Sequence, residues 1–178
     1  MVRTDRLKRE HGIETRWLAF PLHPEVPEEG LTLEELFAGR RFDVRAAQER
    51  LERVAASLSL PLASRTRIYN TRLAQELAKW AESQGKGDDF HRAVFNAYFV
   101  QGKNIAVIEE LVALALSTGL PADEARRVIL ERSFRQAVDA DWARAQSLRI
   151  TAVPTFLFDR KRVVGFQPYE ALAELIGQ

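Results

Sequence analysis

The stretch Ala152-Val153-Pro154-Thr155-Phe156-Leu157-Phe158 decides the fold. Thr155 to Phe158 reads as a short buried β-strand, because four consecutive apolar or β-branched residues suit a packed strand. Pro154 stands directly before it and cannot donate to a ladder at that point. It therefore opens the strand, lies on an edge, or sits in a cis turn. The local sequence leaves a trans strand-opening proline and a cis turn both open.

Working outward, Asp159 and Arg160 make a turn, and Arg162 to Gly165 reads as the second strand of a hairpin. Pro168 then opens a final helix carrying Leu172, Leu175 and Ile176. Near the other end, Ile13 to Phe20 alternates before turning fully apolar, and is expected to be a strand. Thr4 to His11 before it reads as the tail of a helix stopped by Gly12. Pro21, Pro24, Pro27 and Gly30 make the following stretch a loop.

Five or six helices are expected between these β segments. Thr32 and Glu35 have capping-box spacing, and Asp43 caps a helix with Ala47, Leu51, Val54 and Leu58 on one face. Asn70 or Thr71 caps the next, with Leu73, Leu77 and Trp80 inside. Asp88 or Asp89 starts another through Phe90, Val94, Phe95, Tyr98 and Phe99, stopped by Gly102. Asn104 caps a helix ending at Gly119, Pro121 opens one carrying Val128 and Leu130, and a last one runs near Phe134 to Ala145. The order strand, helical block, strand, strand, helix predicts an α/β layer with a helical insertion.

Composition narrows the function. The 178 residues are 46% hydrophobic and 29% charged with a formal net charge of +1, so no overall field favours nucleic acid or anionic lipid. Arg40 and Arg41 form the densest basic pair, which reads as solvated surface. No cysteine is present, which excludes a disulfide framework, a thiolate nucleophile and a thiolate metal site. The charged start lacks an apolar h-region and no run reaches transmembrane length, so a cytoplasmic protein is expected.

No Gly-rich phosphate cradle and no GxSxG elbow occur. His11, His23 and His91 lack ligand spacing, so no metal is expected. Asp88, Asp89, Glu109, Glu110, Asp139 and Asp141 are explained by helix starts and helix faces. Phe95, Tyr98 and Phe99 have helical spacing and read as core, with a peptide groove as the alternative.

Taken in order, Trp17 to Pro24, Asn70-Thr71, Ala97-Tyr98-Phe99, Gly119-Leu120, Val153 to Phe156, Val164-Gly165 and Gln167-Pro168 resemble the FrnE-type branch of the DsbA-like oxidoreductases. The related 2-hydroxychromene-2-carboxylate isomerases and kappa-class glutathione transferases share that architecture. The resemblance spans about Asp5 to Ile176 and implies a thioredoxin-like fold with a large α-helical insertion. It implies a core from residues 1–30 and 150–178 and an insertion over 31–149. It also implies that Pro154 is the cis-proline, and that Val153 offers its backbone to an extended peptide or to glutathione. Thr155, Phe20 and Tyr98 complete the expected substrate-binding set.

Two departures stand beside the resemblance. Family members begin with an apolar strand followed by CxxC at the first helix N-terminus, and neither is found here, so the N-terminal strand is read as missing. The family often has histidine where this chain has Gln75. A thiol–disulfide oxidoreductase without catalytic residues in these 178 is therefore expected to be inactive in disulfide exchange. A glutathione-dependent isomerase or transferase and a non-catalytic peptide-binding protein are the alternatives, and an unpaired sheet edge motivates a homo-oligomer.

Overall fold

The computed structural model describes residues 2–39, 43–64 and 66–177. Arg40 and Arg41 lie outside them. The chain folds as two compact units, residues 1–22 with 138–178, and residues 23–137.

The first unit is mixed α/β. Helix α1 (Val2–His11) buries Leu7. A hairpin and a helix come from the other end of the chain: β3 (Thr155–Phe158), β4 (Lys161–Val164) and α9 (Tyr169–Leu175). The hairpin is antiparallel, with Thr155 opposite Val164 and Phe158 opposite Lys161. Asp159 turns it at φ 52°, a left-handed conformation that aspartate tolerates better than most residues. Helix α9 packs on both strands and on α1, burying Leu172 and Leu175. Arg3 and Arg6 lie over the rings of Phe166 and Tyr169, at 4.0 and 3.7 Å from the centroids, which ties α1 to the segment around α9.

The expected strand at Ile13–Phe20 does not form. Its alternation is nevertheless visible in the exposure pattern: Ile13, Thr15 and Trp17 are half-buried, while Glu14 and Arg16 are exposed. Period-two burial alone makes no strand, because a strand also needs a neighbour for its ladder. Among the described residues β3 pairs only with β4, and no strand pairs with residues 13–20.

The second unit is helical. After a two-residue strand β1 (Leu31–Thr32) come α2 (Leu33–Leu36) and α3 (Val44–Ser57), then β2 (Arg67–Ile68), antiparallel to β1. The expected capping box is present: Thr32 Oγ1 accepts from Glu35 N, and Glu35 Oε2 accepts from Thr32 N at 2.7 Å. Asp43 caps α3, accepting from Ala46 N at 2.9 Å. The core lies between α4 (Arg72–Ser83), α5 (Gly87–Phe99), α6 (Ile108–Ser117) and α7 (Ala122–Glu131). Leu77, Trp80, Phe90, Leu111 and Ile129 are its largest buried members. Helix α8 (Arg135–Ser147) spans the boundary, its residues from Val138 belonging to the first unit.

Helix starts follow the expectations within a residue or two except at α6, where Val107 and not Asn104 is the N-cap and Asn104 instead accepts from Ala106 N in the turn before it. Asn70 rather than Thr71 supplies the cap of α4, accepting from Arg72 N at 2.8 Å. Helix α5 begins at Gly87, ahead of Asp88 and Asp89, and both carboxylates fall in its first turn.

Candidate functional site

The peptide bond Val153–Pro154 is cis. Thr155 Oγ1 donates to Ala152 O at 2.6 Å, closing the turn around it. Pro154 O accepts from Gly165 N at 2.7 Å, which extends the hairpin back by one rung. The Val153 N–H and C=O have no hydrogen-bond partner among the described residues, and its side chain is 42% exposed. Val153 therefore presents one free donor and one free acceptor beside the unpaired edge of β3.

Phe20 lies elsewhere in the same unit. With Pro21 it lines an open cleft of about 470 Å³ whose other wall is α8: Asp139, Trp142, Ala143, Ala145 and Gln146, with Ile150 beyond. That size falls within the range of small-ligand sites. Val153, Pro154 and Thr155 are not among its lining residues. Tyr98 belongs to the helical unit, where it packs on the core and meets the edge of the Phe99 ring at 5.0 Å.

The residues behind the cleft carry a feature the sequence reading missed. Asp141, assigned there to a helix face, is buried at 4% exposure, and its Oδ2 accepts from Ala19 N at 3.0 Å. A hydrogen bond from the Ala19 N–H to a buried carboxyl oxygen thus fixes the extended segment next to Phe20. Asp139, Trp142, Ala143 and Gln146 fall at helical spacing, so the cleft wall could have been read as a stripe. Its mixture of polar and apolar residues hid it.

A second polar cluster surrounds Tyr169. Its hydroxyl donates to Glu10 Oε2 at 2.5 Å and lies 2.9 Å from His11 Nε2. Arg6 Nε donates to Glu10 Oε1 at 2.8 Å. The Arg6 bond, then the Tyr169 bond, hold the Glu10 carboxyl below the usual carboxylate range. Among the described residues no group of three or more histidines, aspartates or glutamates could hold a metal ion, and no helix is long and apolar enough to cross a membrane.

The sequence profile of the DSBA-like thioredoxin domain matches residues 2–177. The chain belongs to the DSBA-like thioredoxin family. The uncharacterised protein YwbO of Bacillus subtilis (strain 168) is 29% identical to this DSBA-like chain over 149 residues, 82% of this chain and 72% of YwbO. The probable DsbA oxidoreductase SCO1869 of Streptomyces coelicolor superposes with a TM-score of 0.86 at 26% identity, covering 98% of this chain and 80% of that one. A 2-hydroxychromene-2-carboxylate isomerase shares the fold, with a TM-score of 0.74 at 18% identity over 97% of this chain and 83% of its own. The DSBA-like fold is thus present in 178 residues that contain no cysteine.

Proposed function

We propose that these residues form the substrate-holding part of a FrnE-type DsbA thiol–disulfide oxidoreductase and supply none of its redox atoms. Exchange requires a thiolate to attack a disulfide sulfur and pass through a mixed disulfide. No side chain here can be that thiolate. What remains is recognition, and the observation that carries it is the free N–H and C=O of Val153 beside the unpaired edge of β3. An extended peptide of a protein substrate satisfies both groups in a β-like contact, with Pro154 and Thr155 holding the turn. Phe20, in the same unit, stays in the proposed binding set as apolar surface, and Tyr98 stays a separate candidate on the helical unit.

Glutathione is the alternative ligand, because its extended backbone offers the same donor and acceptor. It would favour an isomerase- or transferase-like role. The test is a titration of labelled protein with a cysteine-containing peptide and, separately, with glutathione, followed by the Val153 amide resonance. The expected result is a saturable shift of that amide with the peptide, with peptide affinity reduced in Val153→Pro when followed at the Thr155 amide, and no insulin reduction above blank. A response to glutathione alone would move the assignment to the second role. Metal-independent insulin reduction, or no response of Val153 to either ligand, would overturn both.

A further inference from the structure

The cleft on α8 has two walls of different make. Asp139, Trp142, Ala143 and Gln146 stand at i, i+3, i+4 and i+7, so they form one stripe along the helix. Phe20 and Pro21 form the other wall, and both walls belong to the same unit. The Phe20 wall is tied down on both sides. Ala19 N–H donates to the buried Asp141 carboxyl at 3.0 Å, and Phe20 O accepts from Leu22 N at 3.0 Å around Pro21. A wall ordered in this way spares a ligand the cost of ordering it.

The lining indicates the ligand. Among the described residues that line the cleft, Asp139 alone is charged. It lies past the first turn of α8, so neither capping nor the helix dipole accounts for a carboxylate there. Trp142, Phe20 and Pro21 add aromatic and apolar surface, and all three are half-buried. Ala143, with only a methyl group, leaves the middle of the stripe open. Gln146 brings an amide to the far end, about 10 Å from Asp139 along the helix. A carboxylate beside aromatic rings attracts a cation by its charge and by the ring quadrupole, and repels an anion. Asp139 already makes a contact of its own, but a carboxylate has lone pairs for several donors. We propose that this cleft binds an alkyl cation, its guanidinium or ammonium head at Asp139 and its apolar stem along Trp142 and Ala143. A free amine carries that chemistry, and so does an arginine or lysine side chain of a peptide. The site stands apart from the Val153 turn, which does not line it.

Titration of the isotope-labelled full chain, followed at the Trp142 indole N–H, tests this. Trp142→Phe identifies that resonance among the three tryptophans. The probes are n-butylguanidine as the free cation, acetyl-arginine methylamide as the peptide-borne one, and valerate as an anion of similar size. The expected result is a saturable shift with a cation at millimolar concentration and none with valerate. Asp139→Asn should weaken binding roughly tenfold, the effect of losing a bond to a charged group. Ala143→Leu, at an exposed helical position, should fill the stripe and abolish binding, with the circular dichroism of both variants unchanged. Binding of butylguanidine alone would assign the cleft to free amines, and tighter binding of the arginine amide to a basic side chain. No saturable shift with either cation, an equal shift with valerate, or an Asp139→Asn variant that binds like the wild type would overturn the proposal. The Val153 amide, visible in the same spectra, reports the peptide contact separately.

Discussion

Arg132 grips Glu76 with both arms of its guanidinium: Nε donates to Oε2 and Nη2 to Oε1, each at 2.7 Å. Glu76 is 2% exposed in the middle of α4, and Arg72 adds a third bond to Oε1 at 2.6 Å. Arg132 reaches it from a left-handed residue at the end of α7, at φ 54°. A planar fork on a planar carboxylate fixes direction as well as distance, so the pair sets how α4 and α7 align.

Replacing Glu76 with glutamine leaves two arginines facing a neutral amide in a buried site. Glu76 is buried but the Arg132 side chain is 40% exposed, so the expected loss is about 1–3 kcal/mol, the range for leaving a hydrogen-bonding partner unsatisfied. It would be read as a lower urea midpoint. Burial pushes the Glu76 carboxyl up, but the bonds from Arg132 and Arg72 outweigh it and hold the group below its ordinary value. Its stabilisation is therefore complete above the unfolded carboxylate pKa, about 4.3, and is lost as pH falls through the lower folded value. The stability gap between wild type and Glu76→Gln should narrow over that acidic window. A gap independent of pH would show that Glu76 is not ionised in the fold.

Asn70 does two jobs with one amide. Its Oδ1 caps α4 at Arg72 N, and its Nδ2 donates to Val26 O at 2.7 Å. Asn70→Ala should destabilise the protein by about 1–2 kcal/mol, the usual range for a lost cap. Asn70→Asp should keep the cap while losing the Val26 bond, so it should fall between the two in thermal melts.

Gly30 has φ +80°, and a Cβ there would lie 2.5 Å from both Ile68 O and the Tyr69 ring. Backbone strain of about 1–3 kcal/mol and steric overlap act together in Gly30→Ala. Unfolding should begin at lower denaturant, with the clip between β1 and β2 losing amide protection first. A variant as stable as the wild type would mean that this turn is not held as described.

The Tyr169 phenol is held above its ordinary value of 10.0, mainly because its hydrogen bond to Glu10 favours the protonated form, and further by burial. Glu10→Gln should lower the pH at which Tyr169 ionises, read in an ultraviolet titration.

The helical half was legible because each helix carries its own punctuation. Asp43, Asn70 and Gly119 mark ends through short-range hydrogen bonds or a left-handed turn, and these act within a few residues. The hairpin was legible for the same reason, with its second strand one residue earlier than expected, at Lys161–Val164, although β3 is not buried as expected: Leu157 and Phe158 are exposed. What needed the structure is non-local. Ile13–Phe20 has the pattern of a strand, but pairing depends on a neighbour and not on pattern. Glu76 and Arg132 lie 56 positions apart, and Asp141 holds Ala19 across 122. At the candidate site, Val153 and Pro154 were named from the stretch Ala152–Phe158 together with the family resemblance, and only the cis bond itself is read from the structure. The cleft wall on α8 was not named, because its stripe is neither wholly apolar nor wholly polar.

The division of the chain has a consequence for assembly. The helical unit is one unbroken segment, whereas the other unit joins residues 1–22 to residues 138–178, with Arg3 bonded to Gln167 across 164 positions. Closing so long a loop adds little to the equilibrium cost, about 0.6 kcal/mol for each doubling of length, but it delays the contacts that repay it. During synthesis the helical unit can be complete while α1 still waits for α9 to emerge. The turn at Val153–Pro154 lies in that two-segment unit, so the proposed peptide contact becomes available only after residues 138–178 have met residues 1–22.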